Sequence, residues 1–415
     1  MFTCTKDPSH SKVLAAAIPR LATGPLAQGD GDCVRHPRAG RGQQGFNLIE
    51  LLMSMGLATI LFMAITYLYV QQGQLLSKQN DVADMDREGR FVIDHLRRDL
   101  MALGSNSTPN SVVDALVCPQ PDVPIKAIQL SFTGSYLPAA DLNPGIKPVA
   151  VTLFGSLDVK RRFRTVQITG SKVMLYDDGT NPLPASQAEY DQFFTSDRYL
   201  RISGADGKMM FYRIVGASAG DASVTVSSPI AHQGEGQACG YQGFGSNYWV
   251  DVQGFVRYKI TGDFRPSAPI LPGGAPARTL LVRERLRADG VTTLSQTILA
   301  ENVVDLSVFD LGFDLDPAPD KVKTKVYPYV EQVLSDGGDG LLGQTDSAIP
   351  EELRFLTVKV SLRGEWPDPS LTHQPRQTAW GPLQTYALAK DGSGSEPVVT
   401  LASRVYLPTM VSRNL

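Results

Sequence analysis

The sequence predicts an α+β protein: a long N-terminal α-helix, spanning a membrane in its first half, packed on a β-rich, mostly antiparallel globular domain. Two observations carry this. From Leu51 to Ser77 there is no charged residue, and Leu51 to Val70 alone supplies the roughly 20 apolar residues that cross a bilayer at ~1.5 Å of rise each. Beyond Pro109 the apolar pattern changes to short runs of period two, separated by glycine and aspartate turns.

The chain divides into four parts: 1–45, 46–104 with the membrane span in 46–70, 110–247 and 248–415. Residues 1–45 are rich in Gly, Pro, Ala and Arg and lack periodicity, which predicts an unfolded leader. They carry six basic and three acidic residues, so the rest of the chain holds a net charge of -6 out of the total of -3. Bulk charge therefore gives no reason to expect a nucleic-acid partner. Arg35, Arg38 and Arg41 precede the apolar run and orient it with its N-terminus in the cytoplasm. A start at Val34, read from a GTG codon, would leave a shorter basic leader.

The helix is expected to run on past the membrane. Val82, Met85, Gly89, Val92, Leu96, Leu100 and Leu103 recur at three- and four-residue steps, so one stripe is apolar while charges occupy the other face. Asp86 with Arg90 and Asp94 with Arg98 are acid-to-base pairs at helical spacing. Gly104, followed by Ser105 to Pro109, predicts the stop, which gives one helix of about 58 residues and roughly 85 Å.

Fourteen strands are expected after it. They are 127–133, 149–154, 165–169, 172–176, 199–202, 209–215 and 224–227, then 249–260, 279–285, 294–299, 303–309, 354–363, 384–388 and 398–407.

Glu50 stands at the head of the apolar run, where an unpaired carboxylate costs a few kcal/mol and asks for a partner. Gly45, then Phe46, then Glu50 after three residues, then the apolar run, resembles the class III signal sequence of type IV pilins and type II secretion pseudopilins. The resemblance implies cleavage by a prepilin peptidase between Gly45 and Phe46 and methylation of the new N-terminus to N-methylphenylalanine. It also implies that Glu50 neutralises the N-terminal ammonium of a neighbouring subunit's Phe46, which removes two lone charges from an apolar filament core. Major pilins usually have a proline in this span; here Ala64-Ile65-Thr66-Tyr67 takes its place.

Leu280 to Arg283, Ile298 to Leu306, Leu353 to Arg363 and Ser403 to Asn414 loosely resemble the C-terminal half of PilW-type minor pilins, and in part the J-class minor pseudopilins. Residues 110–247 resemble nothing named and are expected to be a β-rich insertion or second lobe; 248–415 would be the C-terminal pilin-like domain. The implied function is structural: a subunit of a type IV pilus, acting in assembly priming or at the tip, in adhesion and twitching motility. The implied partners are the prepilin peptidase, other minor and major pilins, the inner-membrane platform protein, a tip adhesin and membrane lipid. The implied location is the inner membrane, single-pass with the C-terminus periplasmic, and then the filament at the cell surface. The alternatives are a J-class secretion pseudopilin and a pilus-displayed adhesion or DNA-binding module.

Cys4 and Cys33 fall in the leader, which leaves Cys118 and Cys239 for an oxidising compartment, either as a disulfide or as two thiols. His95, His232 and His373 have no metal-ligand spacing, and the glycine-rich stretch 234–245 lacks the lysine of a phosphate loop. Two acidic stretches, Asp310, Asp314 and Asp316, then Asp336 and Asp339, are candidate calcium ligands, with solvated turn carboxylates as the other reading. Arg161, Arg162 and Arg164, the densest basic cluster of the β-rich part, are expected on a solvated strand edge. No nucleophile-elbow or paired catalytic signature points to an enzyme, and no cofactor other than calcium is suggested.

Overall fold

The computed structural model describes residues 47–103, 107–112, 114–177, 179, 181–233, 239–271, 274, 276–314, 324–329, 353–365, 368, 371–374, 383–388 and 395–407. The leader, with Gly45 and Phe46, and Asp316, Asp336 and Asp339 lie outside the described residues. Helix α1 is continuous over Leu48–Ala102. Its first turn forms on the Asn47 carbonyl, which accepts from the Glu50 and Leu51 amides at 2.9 and 3.2 Å. The described residues up to Leu68 and those from Tyr69 onward fall in separate units.

In the second unit, every pairing between named strands is antiparallel. Each of the fourteen expected strands has a counterpart, and two elements were not expected: the short helix α2 (Gln187–Phe193) and a strand at Thr324–Tyr329. The latter, β12, holds Pro328 and sits at the outside of its sheet, the place where a residue without an N–H donor is tolerated.

One long strand, β8 (Trp249–Gly262), joins the two halves of the first sheet. Its opening residues pair with β3 (Arg162–Thr169) on one side and β5 (Tyr199–Ser203) on the other. The circuit closes through β4 (Lys172–Tyr176), β7 (Ser223–Val226) and β6 (Met209–Ser218). The result is a six-stranded barrel. Phe163, Val173, Leu200, Ile202, Met210, Tyr212, Val224, Val250 and Val252 fill it, so its interior is a packed core rather than a channel. Tyr190 of α2 and the adjoining Phe194 belong to the same core.

The later residues of β8 change partners. They pair with β2 (Ala150–Gly155) and β9 (Thr279–Leu286), which carry β1 (Ile128–Ser131) and β10 (Thr293–Glu301) at the two edges. A second sheet has the order β12, β11 (Val303–Asp314), β13 (Leu353–Arg363), β15 (Glu396–Tyr406), β14 (Thr385–Tyr386). The main core takes side chains from both sheets and from α1, among them Leu96, Leu100, Val151, Tyr258, Leu306 and Val360. β1 and β2, which precede residue 247 in sequence, thus share a sheet with β8 and β9, which follow it.

Cys118 and Cys239 form a disulfide with a Cα separation of 5.1 Å. It ties the strap after α1 to the 239–245 loop beside the barrel.

Candidate functional site

The helix α1 carries the features that sequence singled out, and its two parts differ sharply in burial. Every large apolar side chain from Leu48 to Val70 is exposed, between 49 and 77%. Such a surface is stable only against lipid or other apolar side chains. Its serine and threonine hydroxyls are satisfied by their own helix. Ser54 donates to the Leu51 carbonyl at 2.8 Å, Thr59 to Gly56 at 2.8 Å, and Thr66 to Phe62 at 2.8 Å. In hydrocarbon, where an unmade hydrogen bond costs several kcal/mol, this pairs the hydroxyls of Ser54, Thr59 and Thr66 within the helix. It is long and apolar enough to cross a membrane. Glu50 lies in the first turn and is exposed.

From Met85 onward the helix is held by the body. Met85, Gly89, Val92, Leu96, Leu100 and Leu103 are buried along the expected stripe, joined by Ile93 and Asp99, while Val82 at its head is 44% exposed. Gly89 makes the closest approach. A Cβ there would stand 2.5 Å from Leu401 Cδ1 and 3.1 Å from Leu362 Cδ1, so the absence of a side chain sets how near α1 lies to the second sheet.

Asp99 is the polar rivet of this contact. The Tyr258 hydroxyl donates to its Oδ2 at 2.5 Å and Arg283 Nε donates to the same atom at 3.0 Å. Arg283 also reaches Asp158 at 2.8 Å, and Asp158 takes Arg198 and Arg285 as well. Burial works against the Arg283 charge, but Asp158, Tyr258 and Asp99 outweigh it and hold its pKa up. Burial, followed by the Asp99 charge, drives the Tyr258 phenol far above its ordinary range. His95 lies 3.1 Å from the Tyr258 oxygen, and burial lowers its pKa despite Asp99.

The expected surface pairs divide. Arg90 meets Asp86 at 2.7 Å, but Arg98 turns from the Asp94 carboxylate and donates to its carbonyl oxygen at 3.3 Å. Lys78 instead finds a distant partner, Asp368, at 2.7 Å.

The other expected residues are placed apart from α1. Asp310 lies 3.5 Å from Arg404 Nη2, a cation where a calcium ion would need only oxygen; Asp314 ends β11. Among the described residues no group of three His, Cys, Asp or Glu is placed to hold a metal. His232 and His373 meet the carbonyl oxygens of Gly243 and Leu142, both at 3.0 Å. The arginine cluster is corrected in part: β3 lies between β4 and β8 rather than at an edge, and Arg162 and Arg164 sit half-buried over Trp249, while Arg161, just before the strand, is exposed and lies over Phe193. The distant aromatics that hold them, Phe193 and Trp249, left no local signal.

Comparison of the chain with protein-family models, curated proteins and solved structures returns no match.

Proposed function

We propose that the protein is a minor pilin: a structural subunit made as an inner-membrane precursor, cut between Gly45 and Phe46, and drawn into a type IV pilus for assembly priming or a place at the tip. The single observation that supports this most is the exposed apolar surface of α1 headed by the one acid, Glu50. An ordinary anchor has no use for a carboxylate there. A filament of packed helices does, because Glu50 meets the fresh N-terminal ammonium of a neighbour's Phe46. The packing of α1 on antiparallel sheet, in one body with a bulky barrel, supports a subunit at an end better than one along a tight shaft.

The partners are then the prepilin peptidase, other pilins and the platform protein. ATP hydrolysis belongs to the machinery and not to this chain. Mass spectrometry of the protein from cells with and without the peptidase tests the reading. The expected mature chain begins at methylated Phe46 only where the peptidase is present; an intact Gly45–Phe46 bond in both would sink it.

A further inference from the structure

Arg162 and Arg164 are two residues apart on β3, so both leave the barrel on its outer face while Phe163 between them fills the interior. In register, Arg164 lies between Trp249 of β8 and Tyr176 of β4, and Arg162 lies opposite Asp251. Asp251 has Arg201 on its other side, from β5. That one carboxylate is taken: Oδ1 accepts from Arg201 Nε at 2.7 Å and Oδ2 from Gln253 Nε2 at 2.8 Å. Two guanidiniums thus flank an acid that hydrogen-bonds only one.

The Arg162 Nε is buried without an acceptor among the described residues. Burial and then Arg201 pull its pKa down, against Asp251. A half-buried cation left this way is costly unless something else completes it. Both side chains are nevertheless held in place. Arg164 stacks with Cζ 4.2 Å from the Trp249 ring centre and Arg162 at 5.5 Å. Arg164 also donates to Asn247. Stacking occupies the flat face of a guanidinium and leaves its in-plane N–H fork available to a planar oxyanion, with little ordering left to lose. Beside them Tyr176 is 53% exposed, a ring free to take a flat partner.

We infer that Arg162 and Arg164, held on Trp249, form a binding site for an acidic glycan, with a uronate carboxylate on the guanidinium forks and a sugar ring against Tyr176. The sparse charge of the site selects this class. Two cations on a body whose chain after residue 45 carries a net -6 suit one carboxylate per neutral ring. Duplex DNA, with a charge every ~1.7 Å, would be repelled by the remainder of the surface.

The test uses the full-length protein in detergent micelles, titrated calorimetrically with an oligogalacturonate, its methyl ester, an oligothymidylate and inorganic phosphate. The oligogalacturonate is expected to bind, and the methyl ester at least about tenfold more weakly. Arg162→Gln and Arg164→Gln should each weaken the acid form by a similar factor, while Arg213→Gln, an exposed arginine of the same barrel, leaves it unchanged. Tyr176→Ala, a change at an exposed side chain that leaves both arginines in place, should also weaken it. Equal affinity for acid and ester, tighter binding of oligothymidylate, binding of phosphate alone, no binding at all, or indifference to both arginine variants in folded protein overturns the assignment.

Discussion

The Tyr258 hydroxyl donates to the Asp99 carboxylate at 2.5 Å and fixes the C-terminal part of α1 to the sheet below it. Both groups are buried. Removing the phenol oxygen leaves Asp99 with Arg283 alone, so Tyr258→Phe should lower the unfolding free energy by about 1–3 kcal/mol, read from chemical denaturation. Asp99→Leu should cost more, because it strips a partner from a buried arginine.

Gly89 faces Leu401 and Leu362. The end of Leu401 can swing, and alanine gains up to about 1 kcal/mol of helix propensity, so Gly89→Ala should be close to neutral. Gly89→Val has no such room and should cost about 1–3 kcal/mol, restored in large part by Leu401→Ala in a double-mutant cycle.

The Cys118–Cys239 bond closes a loop with a sequence separation of 121. In the chain-entropy model its loss removes ~4–5 kcal/mol. Reduction should release two thiols and lower the melting temperature, and the Cys118→Ser/Cys239→Ser pair should show the same drop without reductant.

Where α1 leaves the body, Asp81, Asp84, Glu88, Glu301 and Glu365 line a cavity of about 220 Å³. Burial first, then the Glu301 and Asp84 charges, raise the Glu88 pKa above its ordinary 4.5, against a hydrogen bond from the Glu301 backbone. The folded state therefore binds this proton more tightly than the unfolded chain. Its stabilising share is present below the unfolded pKa and is lost as pH rises through the folded one. Glu88→Gln should flatten that fall, seen as a smaller loss of melting temperature from pH 4 upward.

Much of this was legible in the sequence because the signals are local. Lys172 to Tyr176 reads as a strand from its own alternation, and the stripe from Met85 to Leu103 from its own spacing. What was missed depends on distant residues. Asp99 reads as one more charge on a helix, and is buried only because Tyr258 and Arg283, 159 and 184 positions away, complete it. Barrel closure likewise needs β8 to change partners halfway, which no periodicity announces. The signal for α2 is local: Ser186 caps the helix by accepting from the Glu189 amide on its Oγ, and the Glu189 carboxylate reaches back one residue beyond the cap to accept from the Ala185 amide.

On the minor-pilin reading proposed above, Glu50 gives the sharpest prediction about assembly. Its carboxylate heads a stretch that carries no other charge from Leu51 to Ser77, so its contribution should arise only when helices pack together. Glu50→Ala should therefore leave the membrane precursor stable and leave cleavage after Gly45 intact, since the peptidase acts before packing. Incorporation is a different matter. An uncompensated ammonium inside the filament costs about 2.5–3.5 kcal/mol, which corresponds to roughly a hundredfold loss of the variant from sheared pili relative to the membrane pool. Quantitative immunoblotting of the two fractions measures it. Glu50→Asp, which keeps the charge on a shorter stem, should recover part of the loss, whereas equal amounts of Glu50→Ala and wild-type protein in the filaments would rule the pairing out.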